Sequence, residues 1–102
     1  MFLVLMTYIA PLEVIDALLA DHVRFLDEQY AAGVFLASGR QVPRKGGVIL
    51  ARAESRAALE AILARDPFAR HNAARCEVVE FTPSKTAPEL ACLQEPAARI
   101  PG

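Results

Sequence analysis

From Leu12 to about Ala32 the apolar residues return at helical spacing, and apolar runs too short to be helices stand at both ends of the stretch. At about 100° per residue, Ile15, Leu18, Leu19, Leu26 and Tyr30 share one face. Glu13, Asp16, Arg24, Asp27 and Glu28 lie opposite. A long amphipathic helix held between two strands constrains this chain more than any other feature. Its apolar stripe must be buried against another layer, and the neighbouring strands supply a sheet. At 1.5 Å per residue the helix is roughly 30 Å long. Pro11 suits the first helical position, where a missing N–H does no harm, and Gly33 suits the stop, because a left-handed cap costs glycine almost nothing.

The rest of the chain completes a pattern around that helix. Phe2–Met6 is a continuous apolar run and reads as a strand buried on both faces. Val34–Gly39 reads as a second strand, and Arg40–Gly47 as a polar hairpin loop ending in glycines. Val48–Ala51 is a third apolar strand. Ser55 is a good N-cap for a second helix over Arg56–Arg65, where Ala58, Leu59, Ile62 and Leu63 repeat at helical spacing. The next position on that face is Asp66, and Pro67 disfavours helical geometry there. Cys76–Phe81 is a fourth strand. Beyond it Pro83, Pro88, Pro96 and Pro101 punctuate a stretch with little periodicity. The expected organisation is therefore one domain over residues 1–85 and an extended arm over 86–102.

The order β-α-β-β-α-β predicts a ferredoxin-like α+β fold, a four-stranded antiparallel sheet with two helices on one face. The first three strands are apolar on both sides, so the uncovered face would be a patch larger than the few hundred Å² monomers tolerate. A second copy, sheet against sheet about a twofold axis, is the expected remedy and makes the chain half of a dimeric α-β barrel.

Composition excludes several classes of function. With 54% hydrophobic and 23% charged residues, the 102-residue chain can build a core of its own. Its formal net charge is -1 and its eleven Lys and Arg are scattered, which argues against nucleic acid or an anionic membrane as partner. The run Phe2–Met6 is too short to span a bilayer and lacks the basic flank of a signal peptide. Cys76 and Cys92 form no disulfide framework, and neither cysteines nor histidines have metal-ligand spacing. Gly46-Gly47 is no phosphate loop, because no lysine and helix start follow it. No metal or cofactor is expected. A reduced, cytoplasmic setting is the simplest expectation, a single bridge tying down the tail being the alternative.

His22 lies in the middle of the long helix's apolar face, between Leu18/Leu19 and Phe25/Leu26. It is the residue type that gives and takes protons near neutral pH unaided. It also has a structural reading, as a core histidine donating to a backbone carbonyl. Asp66 ends the second helix on its apolar side, where it can face His22 if the helices pack side by side. Followed by Pro67, it is equally an N-cap for a short turn through Phe68-Ala69-Arg70. The readings are compatible if one carboxylate oxygen caps and the other orients the imidazole. Ser38, Gly39 and Arg40 end the second strand, where a hydroxyl, open amides and a guanidinium can hold an anionic substrate; an ordinary strand end is the alternative. His71 stands in a polar segment and is expected to be solvated. Tyr8 and Tyr30 suit a pocket wall, core or interface.

These residues carry a resemblance to the YCII-related family over roughly Met1 to Lys85. It rests on His22 followed by Phe25-Leu26 and Gly33, on the strand end Ala37-Ser38-Gly39, and on Asp66-Pro67-Phe68 with Glu80-Phe81-Thr82-Pro83 after it. The resemblance implies a ferredoxin-like dimer with a histidine–aspartate pair in a cleft, which by position is His22 and Asp66. A few relatives are similar to lyases that remove chloride from chlorinated hydroxyquinones, and the fold resembles muconolactone isomerase. The chain departs from the family pattern at Arg40, where proline is usual, at Val23, where arginine is frequent, and at His71, where a small residue is common.

Two functions follow. In the first the chain is a cofactor-free lyase, dehalogenase or isomerase. His22 is its acid or base, Asp66 holds the imidazole, and Arg40 or the Ser38–Gly39 backbone binds negative charge on a small anionic or phenolic molecule. In the second it is a non-catalytic dimeric module that binds a small molecule or a protein. The discriminating observation is whether His22 and Asp66 hydrogen-bond at the wall of an open cleft.

Overall fold

In the computed structural model, which describes residues 1–95, the chain order is β-α-β-β-α-α-β followed by a 3₁₀ turn. β1 spans Phe2–Tyr8, α1 Leu12–Ala31, β2 Phe35–Arg40 and β3 Gly46–Ala51. α2 spans Arg56–Leu63, α3 Pro67–Arg70 and β4 Ala74–Glu80. The sheet order is β2-β3-β1-β4, with every neighbouring pair antiparallel. This is the ferredoxin-like α+β fold: β3 and β1 lie at the centre, and each helical crossover returns the chain two places along the sheet. None of the described helices is long and apolar enough to cross a membrane.

Local chemistry sets the element ends. The helix α1 begins with Pro11 at its N-cap rather than inside its first turn, and the Pro11 carbonyl accepts from Val14 and Ile15. It stops where Gly33 takes φ +77°, the left-handed conformation that favours glycine. α2 starts at Ser55, whose Oγ accepts from the Ala58 amide at 3.0 Å. It ends two residues earlier than its apolar spacing predicts, and Asp66 then opens a separate helix, α3, with Pro67 at its start. β2, β3 and β4 each differ from the sequence expectation by one or two residues at their ends.

Which side of α1 is buried also differs in detail. Ile15, Phe25 and Gln29 are its buried residues, whereas Tyr30 is exposed and hydrogen-bonds Ser38, Oη to Oγ at 2.5 Å. The stripe follows the i, i+3/i+4, i+7 path through His22 to Gln29, one position short of Tyr30.

Two packed clusters fill the layer between sheet and helices. Phe2, Val4, Phe25, Phe35, Ile49, Leu59, Leu63 and Val78 belong to one. Met6, Ile15, Phe68, Ala73 and Ala74 belong to the other, at the opposite end of the sheet. The face away from the helices carries Leu3, Leu5, Val48 and Leu50, all half-buried, with Val79 42% exposed beside them.

Only residues 86–95 of the expected arm are described, and they include a turn. Pro88–Leu93 forms a 3₁₀ segment, because Pro88 presets the backbone for a tight turn and Leu90 closes it on Ala87. The chain then returns, the Glu95 amide donating to Pro83 and its carboxylate reaching the N-terminal amine of Met1 at 3.4 Å. Residues 96–102 of the expected arm lie outside the described residues. Cys76 and Cys92 are free thiols.

Candidate active site

At the end of the sheet where β1 meets α1, the layer opens into a cleft of about 160 Å³. Its absence of filling has a local cause in β3. Alternate residues of a strand share a face, so Gly47 points the same way as Ile49 and Ala51, toward the helices. A side chain there would meet only the Gly39 carbonyl, at 3.3 Å, so glycine leaves the floor between Met6 and Arg40 empty. Gly46 has a different reason to be glycine, since a Cβ there would collide with the Met6 carbonyl.

The helix side of the cleft is formed by Leu19, His22, Val23 and Leu26 of α1. The imidazole of His22 is fixed from behind. Its Nδ1 lies 2.9 Å from Asp66 Oδ1, and its ring stacks on Phe68 at 4.0 Å with 12° between planes. Tyr8, which also lines the cleft, packs its edge against the same Phe68. An ionised carboxylate only accepts; opposite one, Nδ1 donates and a neutral ring keeps its lone pair on Nε2.

Asp66 does two jobs with one oxygen. Oδ1 accepts from His22 and also from the Phe68 amide at 3.0 Å, capping α3. The sequence allows one task for each oxygen; the tight Asp-Pro-Phe turn instead brings both donors to the same one. Oδ2 is buried without a partner among the described residues. The residue is 1% exposed, so its carboxylate is set behind the cleft-wall imidazole. An unpaired buried carboxylate oxygen costs stability, which makes the bond to His22 and the cap the two contacts that hold the charge in place.

The far side of the cleft depends on a bulge. Phe35 pairs with Ala51 but Ala37 with Leu50, so Leu36 is an extra residue in β2. An extra residue reverses the alternation. Ser38 and Arg40 therefore share the helix-facing side with Ile49 and Gly47, and both line the cleft with Gly39. Ser38 is engaged by Tyr30, whereas Arg40 is exposed and makes no ion pair among the described residues.

Thus His22, Ser38, Gly39 and Arg40 meet in one cleft, and Asp66 reaches it through His22. His71, at the C-cap of α3, is exposed and does not line it. Sequence reasoning missed Arg44, which belongs to the hairpin loop and reaches the cleft only because that loop folds back over α1. Gln41 anchors the loop by donating to the Met6 carbonyl at 3.0 Å. No three described His, Cys, Asp or Glu residues are grouped to hold a metal ion. The Cys76 residue is exposed at the sheet edge, yet it shares a groove with Leu63 and Ala69, and desolvation there pushes its thiol up to about 11, with the charge of Asp66 a smaller contribution.

Sheet order and crossovers make this a ferredoxin-like α+β domain, and the carboxylate behind the cleft-wall imidazole is the pairing used for general acid–base work. The chain belongs to the YCII-related family: the model of the YCII-related domain matches residues 1–82. Among solved structures it is similar to the 5-chloro-2-hydroxyhydroquinone dehydrochlorinase of Burkholderia phenoliruptrix AC1100, determined in complex with 2,5-dihydroxybenzoquinone. The two are 18% identical, with a TM-score of 0.68 over 80% of this chain and 94% of that one, a likeness of fold. No curated protein sequence matches.

Proposed function

We propose that the chain is an acid–base enzyme of the lyase or isomerase type, working without a cofactor on a small phenolic or anionic molecule. The observation that carries the reading is the hydrogen bond of 2.9 Å between His22 Nδ1 and Asp66 Oδ1, with the ring at the wall of an open cleft. A structural histidine satisfied in the core needs neither the cleft nor a buried carboxylate.

In this reading Nε2 takes a proton from a ring hydroxyl or from a carbon next to a carbonyl. In an isomerisation the electron pair moves into the ring system and the proton returns at another atom. In an elimination the pair becomes a new double bond while halide leaves with the electrons of the carbon–halogen bond, so the products are the unsaturated ring, a proton on His22 and a halide ion. Asp66 stabilises the imidazolium, and Arg40 faces negative charge developing on oxygen. The dehydrochlorinase of the same fold lends support to the elimination form. Part of the same proposal is a twofold dimer through the face bearing Leu3, Leu5, Val48 and Leu50, which a Leu5→Lys variant should convert to monomer in sizing by light scattering.

Positioned acid–base help is worth about 10² to 10⁴ in rate. Chlorinated hydroxyquinones, catechols and unsaturated lactones offered in D₂O report chloride release by ion chromatography and deuterium uptake by mass spectrometry. The wild-type chain should turn over at least one of these. His22→Ala should lower that rate by about 10² or more while its circular dichroism stays unchanged. Equal turnover by both proteins, or none by the wild type on ligands it binds, would contradict the reading.

A further inference from the structure

Arg44 stands on the loop between β2 and β3 and lines the same cleft as His22 and Arg40. Its Nη2 donates to Asp16 Oδ1 at 2.6 Å, so the pair ties the loop to α1. Asp16 is 56% exposed, and it is the main reason the Arg44 guanidinium is held above its ordinary pKa, with Tyr8 adding a smaller attraction. Exposed ion pairs of this kind are weak and exchange partners readily. Charge in the cleft at rest is therefore one-sided: Arg44 is neutralised by Asp16, and Arg40 has no carboxylate partner among the described residues.

Size and lining narrow the ligand further. The cleft volume of about 160 Å³ is close to the roughly 150 Å³ that suffices for one benzene ring. Leu19, Leu26, Met6 and Ile49 give it apolar walls for a ring face. We propose that the cleft selects a single-ring monoanion whose anionic oxygen is shared by Arg40 and Arg44, with Asp16 releasing Arg44 as the ligand enters. This rests on the cleft being the substrate site and adds the charge, the size and the residue that selects for them. A neutral ring leaves Arg40 unpartnered. A ring with a second anionic group must set that charge against the apolar walls of Leu19, Leu26, Met6 and Ile49.

The test is binding of 4-nitrophenolate to the full chain, followed by its visible absorbance, with benzoate, benzamide and terephthalate as competitors. Benzoate should displace the probe, and benzamide and terephthalate should compete about tenfold less well or worse, since the first loses a charge-assisted bond and the second desolvates an extra charge. Arg44→Gln should weaken probe binding by about tenfold or more, whereas Asp16→Asn should tighten it by freeing the guanidinium. All variants should keep the wild-type urea midpoint closely, because a partly exposed ion pair contributes little to stability. Three outcomes overturn the proposal. If the wild type binds neither probe nor benzoate, the substrate-site reading falls with it. If Arg40→Gln abolishes binding but Arg44→Gln and Asp16→Asn leave it unchanged, the site stands and the role of Arg44 falls. If Asp16→Asn weakens binding as much as Arg44→Gln, the pair only braces the loop.

Discussion

At one end of the layer between α1 and the sheet, Phe2, Phe25 and Phe35 close the space, with the Phe25 and Phe35 rings edge to face at 5.8 Å. At the other end the equivalent strand positions carry Met6, Gly47 and Arg40, and a cleft opens where aromatic rings would have met. The same helix serves both ends, presenting Phe25 to the first and His22 to the second. At the open end sits a buried carboxylate, Asp66, bonded to His22 and to the Phe68 amide. The closed end supplies the hydrophobic stability that a domain of this size needs; the open end gives some of it up in an unfilled floor and an unpaired buried oxygen. Sites are placed where a fold leaves its packing incomplete, and here one strand position, Gly47, accounts for much of the incompleteness.

Truncations at the two ends should separate these roles. Phe35→Ala should cost about 3–5 kcal/mol in urea unfolding, out of a total stability of roughly 5–15 kcal/mol. Asp66→Ala should cost less, about 2–4 kcal/mol, for the lost α3 cap and the stranded His22 donor, but it should lower turnover by about 10², as loss of His22 does. Equal losses of turnover per kcal/mol at the two ends would erase the distinction. A smaller effect on stability and a sharper one on the site is expected of Gly47→Ala. The Gly39 carbonyl need give way by only a few tenths of an ångström, so stability should stay within about 1 kcal/mol of wild type. The added methyl occupies the floor, and binding of 4-nitrophenolate should weaken by about tenfold or more. Unchanged binding in that variant would place the ligand elsewhere.

Much of this arrangement is legible in the sequence because it is written in local chemistry. The α1 stripe, the Gly33 stop, the Ser55 cap and the Asp66-Pro67 turn each follow from residues a few positions apart. The pairing of His22 with Asp66 is different: helix periodicity puts each on an apolar side but leaves capping as good a reading for Asp66, and the family resemblance is what pairs two residues 44 positions apart. What stayed hidden depends on contacts distant in sequence or on backbone irregularity. The bulge at Leu36 turns Ser38 and Arg40 toward the cleft, and no residue type around it announces that reversal. Arg44 looks like a loop residue until the hairpin is folded against Asp16. The turn at Pro88–Leu93 has a local cause in Pro88, whereas the return of Glu95 to Pro83 and Met1 depends on distant residues.

The proposed chemistry turns on one proton. If Asp66 holds Nδ1–H, neutral His22 presents a bare Nε2 to the cleft, which is the atom every proposed step uses. Long-range ¹H–¹⁵N correlation of the ¹⁵N-labelled chain, at a pH where His22 is neutral, reads the tautomer directly. The expected spectrum has the proton on Nδ1 and a non-protonated Nε2 whose resonance moves when 4-nitrophenolate is added. A spectrum with the proton on Nε2 would contradict the account, because the ring would then show the cleft a donor in place of a base.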